Sequence, residues 1–195
     1  MASTASRPGR VAKLPPRERI LDAAEELFQN EGIGRVGVQA IAERAKTTKM
    51  AIYRHFETKD ALVVEWLRIV AADYQAAFDR VEAEHPGLPR EQILGLARFI
   101  AEGLPTISHR GCPFINSLAE LPDRDHPARQ LIEEHKAHQT RRLVGMCAEA
   151  GLPDPAQTAA EITFVLEGAQ VSTQNGSIDR TGERLMKIIE GIVAK

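Results

Sequence analysis

Thr47, Thr48 and Lys49, followed by Tyr53 and His55, are the side chains of this 195-residue chain best suited to meeting a polyanion. Threonine hydroxyls donate to phosphate or to base edges, and either is able to cap a helix. A lysine ammonium reaches phosphates or guanine acceptors, and phenol and imidazole groups donate to phosphates. Arg54 either does the same or is solvated, while Met50 and Ala51 offer apolar contact of the kind a thymine methyl accepts. These residues gain meaning from their frame. Across Val38 to Phe56, VQAIAERAKTTKMAIYRHF, the apolar residues Val38, Ile41, Ala42 and Ala45 share one helical face, and Ala51, Ile52 and Phe56 share another. Two short helices with a polar turn between them form the pattern of a helix-turn-helix, whose second helix enters the DNA major groove by its N-terminal end. The plainer alternative is a structural hairpin with a charged face, in which Tyr53 and Phe56 are core.

Other residues could carry different chemistry. Cys112 lies between Gly111 and Pro113, a setting for a helix N-cap where backbone N–H groups would lower a thiol's pKa and make it a sensor of electrophiles or oxidants. The other reading is a small buried apolar residue. Cys147, between Met146 and Ala148, reads as inert core. Glu134, His135 and His138, with His126 nearby, have helical spacings able to chelate, yet EEHKAHQTRR reads as an ordinary solvated face, and no metal is expected. Gly32 to Gly37 satisfies G-x-G-x-x-G, but the dinucleotide fingerprint requires a preceding strand and here a helix precedes it. With no metal quartet, phosphate loop or nucleophile elbow, the chain is expected to be no enzyme, with no catalytic residues and no cofactor. The alternative to a DNA-binding regulator is a non-DNA-binding helical adaptor or ligand-binding module.

The elements that must position these residues read as helices throughout. Pro15 and Pro16 open a first helix through ERILDAAEELFQNEG, with Gly32 as its C-cap. The two motif helices follow. Thr58 is a plausible N-cap for a long helix reaching about Glu84, and further helices are expected at about 90–103, 113–121, 127–150, 155–175 and 180–194. No segment sustains a period-2 alternation. The expected fold is all-α, a three-helix helix-turn-helix domain joined by a long helix to a larger helical bundle for ligand binding and dimerisation. The expected divisions are a flexible basic arm at 1–14, a DNA-binding domain at 15–62 and an effector-binding and dimerisation domain at 63–195.

Charge agrees with that layout. The net charge of −2 hides an asymmetry, because residues 1–60 carry 11 Lys and Arg against 8 Asp and Glu, and the remainder 14 against 19. A basic head on an acidic body fits nucleic-acid binding by the head. Arg7, Arg10 and Lys13 either enter a flanking minor groove or make no contact. Two isolated cysteines argue for a reducing cytoplasm, no apolar run approaches the ~20 residues that span a bilayer, and the N-terminus has no apolar signal segment.

The run from Ala45 to Phe56, followed by Thr58-Lys59-Asp60-Ala61-Leu62, resembles the TetR family of bacterial transcriptional regulators over roughly residues 17–65. Gly111-Cys112-Pro113-Phe114-Ile115-Asn116, with Glu120 after it, is similar to a Gly-Cys…Asn…Glu element in a subset of that family. Three positions depart from the family pattern: Lys46 stands where the turn usually has Gly, Met50 where the recognition helix often has Gly, and Gly37 where a Ser or Thr cap is common. The resemblance implies a homodimeric, ligand-responsive repressor of double-stranded operator DNA. It carries over Thr47, Thr48, Lys49, Tyr53 and His55 as DNA contacts, with Lys59 at the next helix start. It also implies an effector pocket in the second half, for which Trp66, Phe99, Cys112 and Phe114 are the expected residues. The helices at 127–150 and 155–175 are expected to form the dimer interface, the second being poor in charge over ITFVLEGAQVSTQ. A twofold dimer would present its recognition helices to successive major grooves about 34–36 Å apart, and palindromic DNA follows.

Overall fold

Proline opens five of the helices in this chain, because its missing N–H costs nothing at a first turn whose amides have no intrahelical partner. The computed structural model describes residues 14–105 and 111–195, and the basic arm with Arg7, Arg10 and Lys13 lies outside the described residues. Among the described residues there are nine helices and no strand: α1 (Pro16–Glu31), α2 (Val38–Arg44), α3 (Lys49–His55), α4 (Lys59–Glu84), α5 (Pro89–Gly103), α6 (Pro113–Glu120), α7 (Pro127–Glu149), α8 (Pro155–Asn175) and α9 (Thr181–Val193). The all-α expectation holds, and the helix ends differ from those read in the sequence by only a residue or so. None of these helices is long and apolar enough to cross a membrane.

Capping explains most of the ends. Gly32 stops α1 with φ 91, a conformation that costs other residues a Cβ clash, and its N–H donates to the Phe28 carbonyl at 3.0 Å. Thr58 accepts from the Ala61 amide at 3.0 Å and so starts α4. With 26 residues, α4 is about 39 Å long at 1.5 Å per residue.

Two hydrophobic cores meet along α4. The first joins Ile20, Phe28, Ile41, Ile52 and Phe56 of α1–α3 to α4 as far as Val70. It also takes in Cys112, Phe114 and Leu121 around α6, and Ala128 and Ile132 of α7. The second joins Phe78 and Val81 of α4 to α5, α8, α9 and the C-terminal half of α7. Tyr74 packs against both. Packing therefore passes from one core to the other at Tyr74, about three turns beyond the Val63 at which the second division was expected to begin.

At this seam the rings of Tyr74, Phe114 and His135 converge, with centroids 5.6 Å apart for Tyr74–Phe114 and 4.7 Å for Phe114–His135. Burial, and then the charges of Lys136 and His138, push His135 down from the ordinary 6.5 to about 4. An unfolded chain takes up that proton more readily, so the stability due to neutral His135 is complete above about pH 6.5 and is lost as pH falls toward 4. His135→Leu is expected to flatten the loss of urea resistance between pH 7 and pH 4.5. An unchanged pH profile in the variant would show that His135 already titrates normally.

Candidate nucleic-acid interface

The turn between α2 and α3 closes by a pair of backbone bonds that end a helix in the left-handed conformation. The Thr47 amide donates to the Ala42 carbonyl at 2.9 Å, and the Lys46 amide to Glu43 at 3.1 Å. The residue forced into that conformation is Lys46, at φ 52. A non-glycine side chain there costs about 1 kcal/mol, which Gly would avoid. Lys46 keeps its side chain exposed, so this departure from the family pattern adds a cation at the turn. Gly37 serves as the N-cap of α2 with no side-chain bond.

Thr48 resolves the question of which threonine caps the second helix, since its hydroxyl accepts from the Ala51 amide at 3.2 Å. Helix α3 buries Ile52 and is followed by the buried Phe56, over which the Arg17 guanidinium sits 5.3 Å from the ring centroid. Phe56 is thus core, as read from its spacing. Thr48, Lys49, Arg54 and His55 are exposed and Thr47 is half-buried. Met50 is 70% exposed and Tyr53 49%, values that leave two large side chains with little packing inside this chain. The face of α3 turned to solvent therefore carries hydroxyls, cations, a phenol and a thioether, the mixture able to meet phosphates and base edges.

Residues 20–66 match the family model for bacterial regulatory proteins of the tetR family. That span includes all of α2, the turn and α3. Residues 20–66 are thus a TetR-family DNA-binding domain. It is 24% identical over 152 residues to the HTH-type transcriptional regulator YjdC of Escherichia coli, covering 78% of this chain and 80% of that one. It is 28% identical over 129 residues to the HTH-type transcriptional regulator TtgR of Pseudomonas putida, covering 62% and 60%. Among solved structures, SCO4454, a TetR-family transcriptional regulator from Streptomyces coelicolor, superposes with a TM-score of 0.85 at 27% identity, over 92% of this chain and 94% of that one. This TetR-family protein is accordingly a DNA-binding transcriptional regulator, and not an enzyme.

The expected DNA residue that stands apart is Lys59. Its ammonium donates to the Ile33 carbonyl and is half-buried. The charge ties the start of α4 to the loop after α1. A second tie reaches the same loop from α6: the Gly34 amide donates to the Glu120 carboxylate at 2.7 Å. The Gly-Cys…Asn…Glu element thus lies against the DNA-binding helices. Gly111, Pro113, Asn116, Ser117 and Glu120 line a small recess with Phe28 and Trp66. Gly111 has φ 76, where other residues are strained, and a Cβ there would lie 3.0 Å from the end of the Gln174 side chain, which would have to give way.

The regulatory half of this TetR-family chain holds a cavity between α4, α5, α7 and α8, with an empty volume of about 690 Å³, its mouth included. Of the four residues expected to bind an effector, Phe99 is on its wall. Trp66 is not, being 2% exposed in the first core with its ring 5.3 Å from Phe28. Phe114 is fully buried at the seam, stacked on His135. Cys112 does sit at the N-cap of α6, and of its two readings the small buried residue is the one the structure has. It is buried, and that burial raises the thiol by more than Lys136 and the amides of Ile115 and Phe114 lower it. Spacing reveals a cap but not what covers it, which is why the sequence left both readings open.

Sequence reasoning missed Tyr74, the ion pair between Lys136 and Glu167 at 2.9 Å, and Gln170, all on the cavity wall. Gln170 lies within the stretch read as a dimer face, where its helix position gives no sign that it turns inward. Among the described residues no group of three or more His, Cys, Asp or Glu side chains converges.

The outward side of α8 carries Phe164, 72% exposed, with Gly168 and Val171 one and two turns on. A Cβ at Gly168 would meet nothing within 4 Å, so packing inside this chain does not demand glycine there. Ile178 and Ile188 extend the apolar surface onto the loop and α9, around a groove shared by α8 and α9. By contrast α7 shows Glu133, Glu134, His138 and Arg141 to solvent. The exposed apolar surface of α8 continues onto α9.

Proposed function

We propose that this regulator works as a homodimer joined through α8 and α9, and that the dimer holds a palindromic operator by its two copies of α3. Thr47, Thr48, Lys49, Tyr53 and His55 are the contacting residues, with Met50 available to a thymine methyl. The observation that carries this reading is the solvent-facing side of α3, whose Met50 and Tyr53 remain open although Ile52 and Phe56 are sealed in the core. Exposed Phe164, Val171 and Ile188 support the dimer face, since an apolar surface of this kind is stable when a second copy covers it.

The cavity is the effector site in this reading, and the bound state is the one released from DNA. Tyr74 supplies the coupling. It lines the cavity, touches Phe99 edge-on with centroids 6.0 Å apart, and packs on Phe114 of the first core. A ligand that shifts Tyr74 would turn α4 against the DNA-binding helices, where Lys59 and Glu120 grip the loop at Ile33–Gly34. Such coupling is bounded by the ligand's differential affinity for the two states, commonly ~1–3 kcal/mol. The expected effector acts by non-covalent binding, because Cys112 is enclosed and its thiol held protonated.

Fluorescence anisotropy against the DNA flanking the chain's own gene tests the interface. Lys49→Ala is expected to weaken binding about tenfold and to reduce the salt slope by about 1, as loss of one phosphate contact does. Equal affinity and equal salt slope for both proteins would remove Lys49 from the interface.

A further inference from the structure

Gln170 is 3% exposed and lines the cavity, and among the described residues its Oε1 has no hydrogen-bond partner. A buried acceptor left unpaired is costly, so its persistence calls for a partner from outside the chain. The surrounding wall narrows what that partner can be. Phe78, Phe99, Leu143 and Ile162 make it mostly apolar, with Tyr74 adding a third ring. The Thr163 hydroxyl donates to the Ala159 carbonyl and the Thr140 hydroxyl to the Lys136 carbonyl, so neither proton is turned to Gln170. Charge on the wall is already balanced, because Lys136 pairs with Glu167 and its ammonium also lies 5.7 Å from the Phe114 ring centroid.

We propose that the cavity selects a neutral, largely apolar, ring-containing ligand that carries a hydroxyl or equivalent hydrogen-bond donor, and that Gln170 Oε1 accepts from it. This rests on the effector-site reading above and adds the chemistry of the ligand. An anionic ligand is disfavoured, since it would have to break the Lys136–Glu167 pair and leave Glu167 uncompensated in a mainly apolar wall. A hydrocarbon of the same shape would fill the space and leave Oε1 unpaired. Gln170 is thus a specificity residue.

The full-length protein is titrated calorimetrically with 2-naphthol, with 2-fluoronaphthalene, which has the same rings and no donor, and with 2-naphthoate. Wild type is expected to prefer 2-naphthol over 2-fluoronaphthalene, and Gln170→Leu to shrink that preference about tenfold, the worth of one buried hydrogen bond. Gln170→Met, which keeps the unbranched shape, should do the same and guards against a folding defect in the first variant. The naphthoate is expected not to bind. Binding of both neutral probes with a preference unaltered by either substitution would overturn the role of Gln170 and leave the cavity as an effector site. Binding of neither neutral probe would overturn both readings, and tighter binding of the naphthoate would overturn the neutral class.

Discussion

Phe164→Lys is expected to turn the proposed dimer into a monomer at micromolar concentration and to abolish measurable operator binding. Phe164 is the most exposed large apolar side chain among the described residues, at 72%. In a twofold interface each substitution is felt twice. Loss of a central aromatic anchor costs roughly 2 kcal/mol or more per copy, so about 4 kcal/mol per dimer, a thousandfold in the association constant. Burying two lysines where two phenyl rings met adds desolvation to that loss. Operator binding falls with it, because one α3 reads a half-site and the second half-site supplies the remaining affinity. Analytical ultracentrifugation beside anisotropy separates the steps. A variant that stays dimeric would place the interface elsewhere than the α8–α9 face.

Phe114→Ala is expected to cost about 3–5 kcal/mol of stability, the usual loss for a fully enclosed phenylalanine. At this chain length that lowers the unfolding temperature by roughly 10 °C. Phe114 has no exposed surface and packs against Tyr74 and His135, so truncation opens a void where the two cores meet. Phe99→Ala is the matched comparison. Phe99 is half-buried on the cavity wall, so its loss enlarges a space that already exists and is expected to cost well under half as much. Denaturant unfolding of the two variants decides the matter. Comparable small losses would show that Phe114 is no core residue and restore it to the effector site.

The DNA-binding face was legible because its signals are local. The apolar spacing of Ile41, Ala42, Ile52 and Phe56 shows which sides of two short helices are buried, and the polar residues between them are left outward. Caps were equally legible: Thr58, Gly32 and the prolines act on backbone groups within one turn of themselves. The tie made by Lys59 was not legible, for the opposite reason. Its partner, the Ile33 carbonyl, is 26 residues away, and nothing in the spacing of the motif registers it.

The second half follows the same division. Helix period and proline or glycine breaks were enough to place α5 to α9, since each helix begins and ends on its own residues. Which apolar side chains line a cavity depends on how four helices fail to close against one another, and no single helix carries that information. So Trp66 and Phe114, large and apolar like Phe99, fell into the first core instead, and Gln170 turned inward from a stretch that looks like a surface. Cys112 shows the limit most plainly: its N-cap position was set by Gly111 and Pro113, but its protonation is governed by what is packed over it. Sequence alone determined the helices, their ends and the groups offered to DNA, because those depend on neighbours within about a turn. Tertiary structure alone decided which buried groups are paired, which are not, and which face of the bundle remains apolar, because those depend on contacts between residues far apart in the chain.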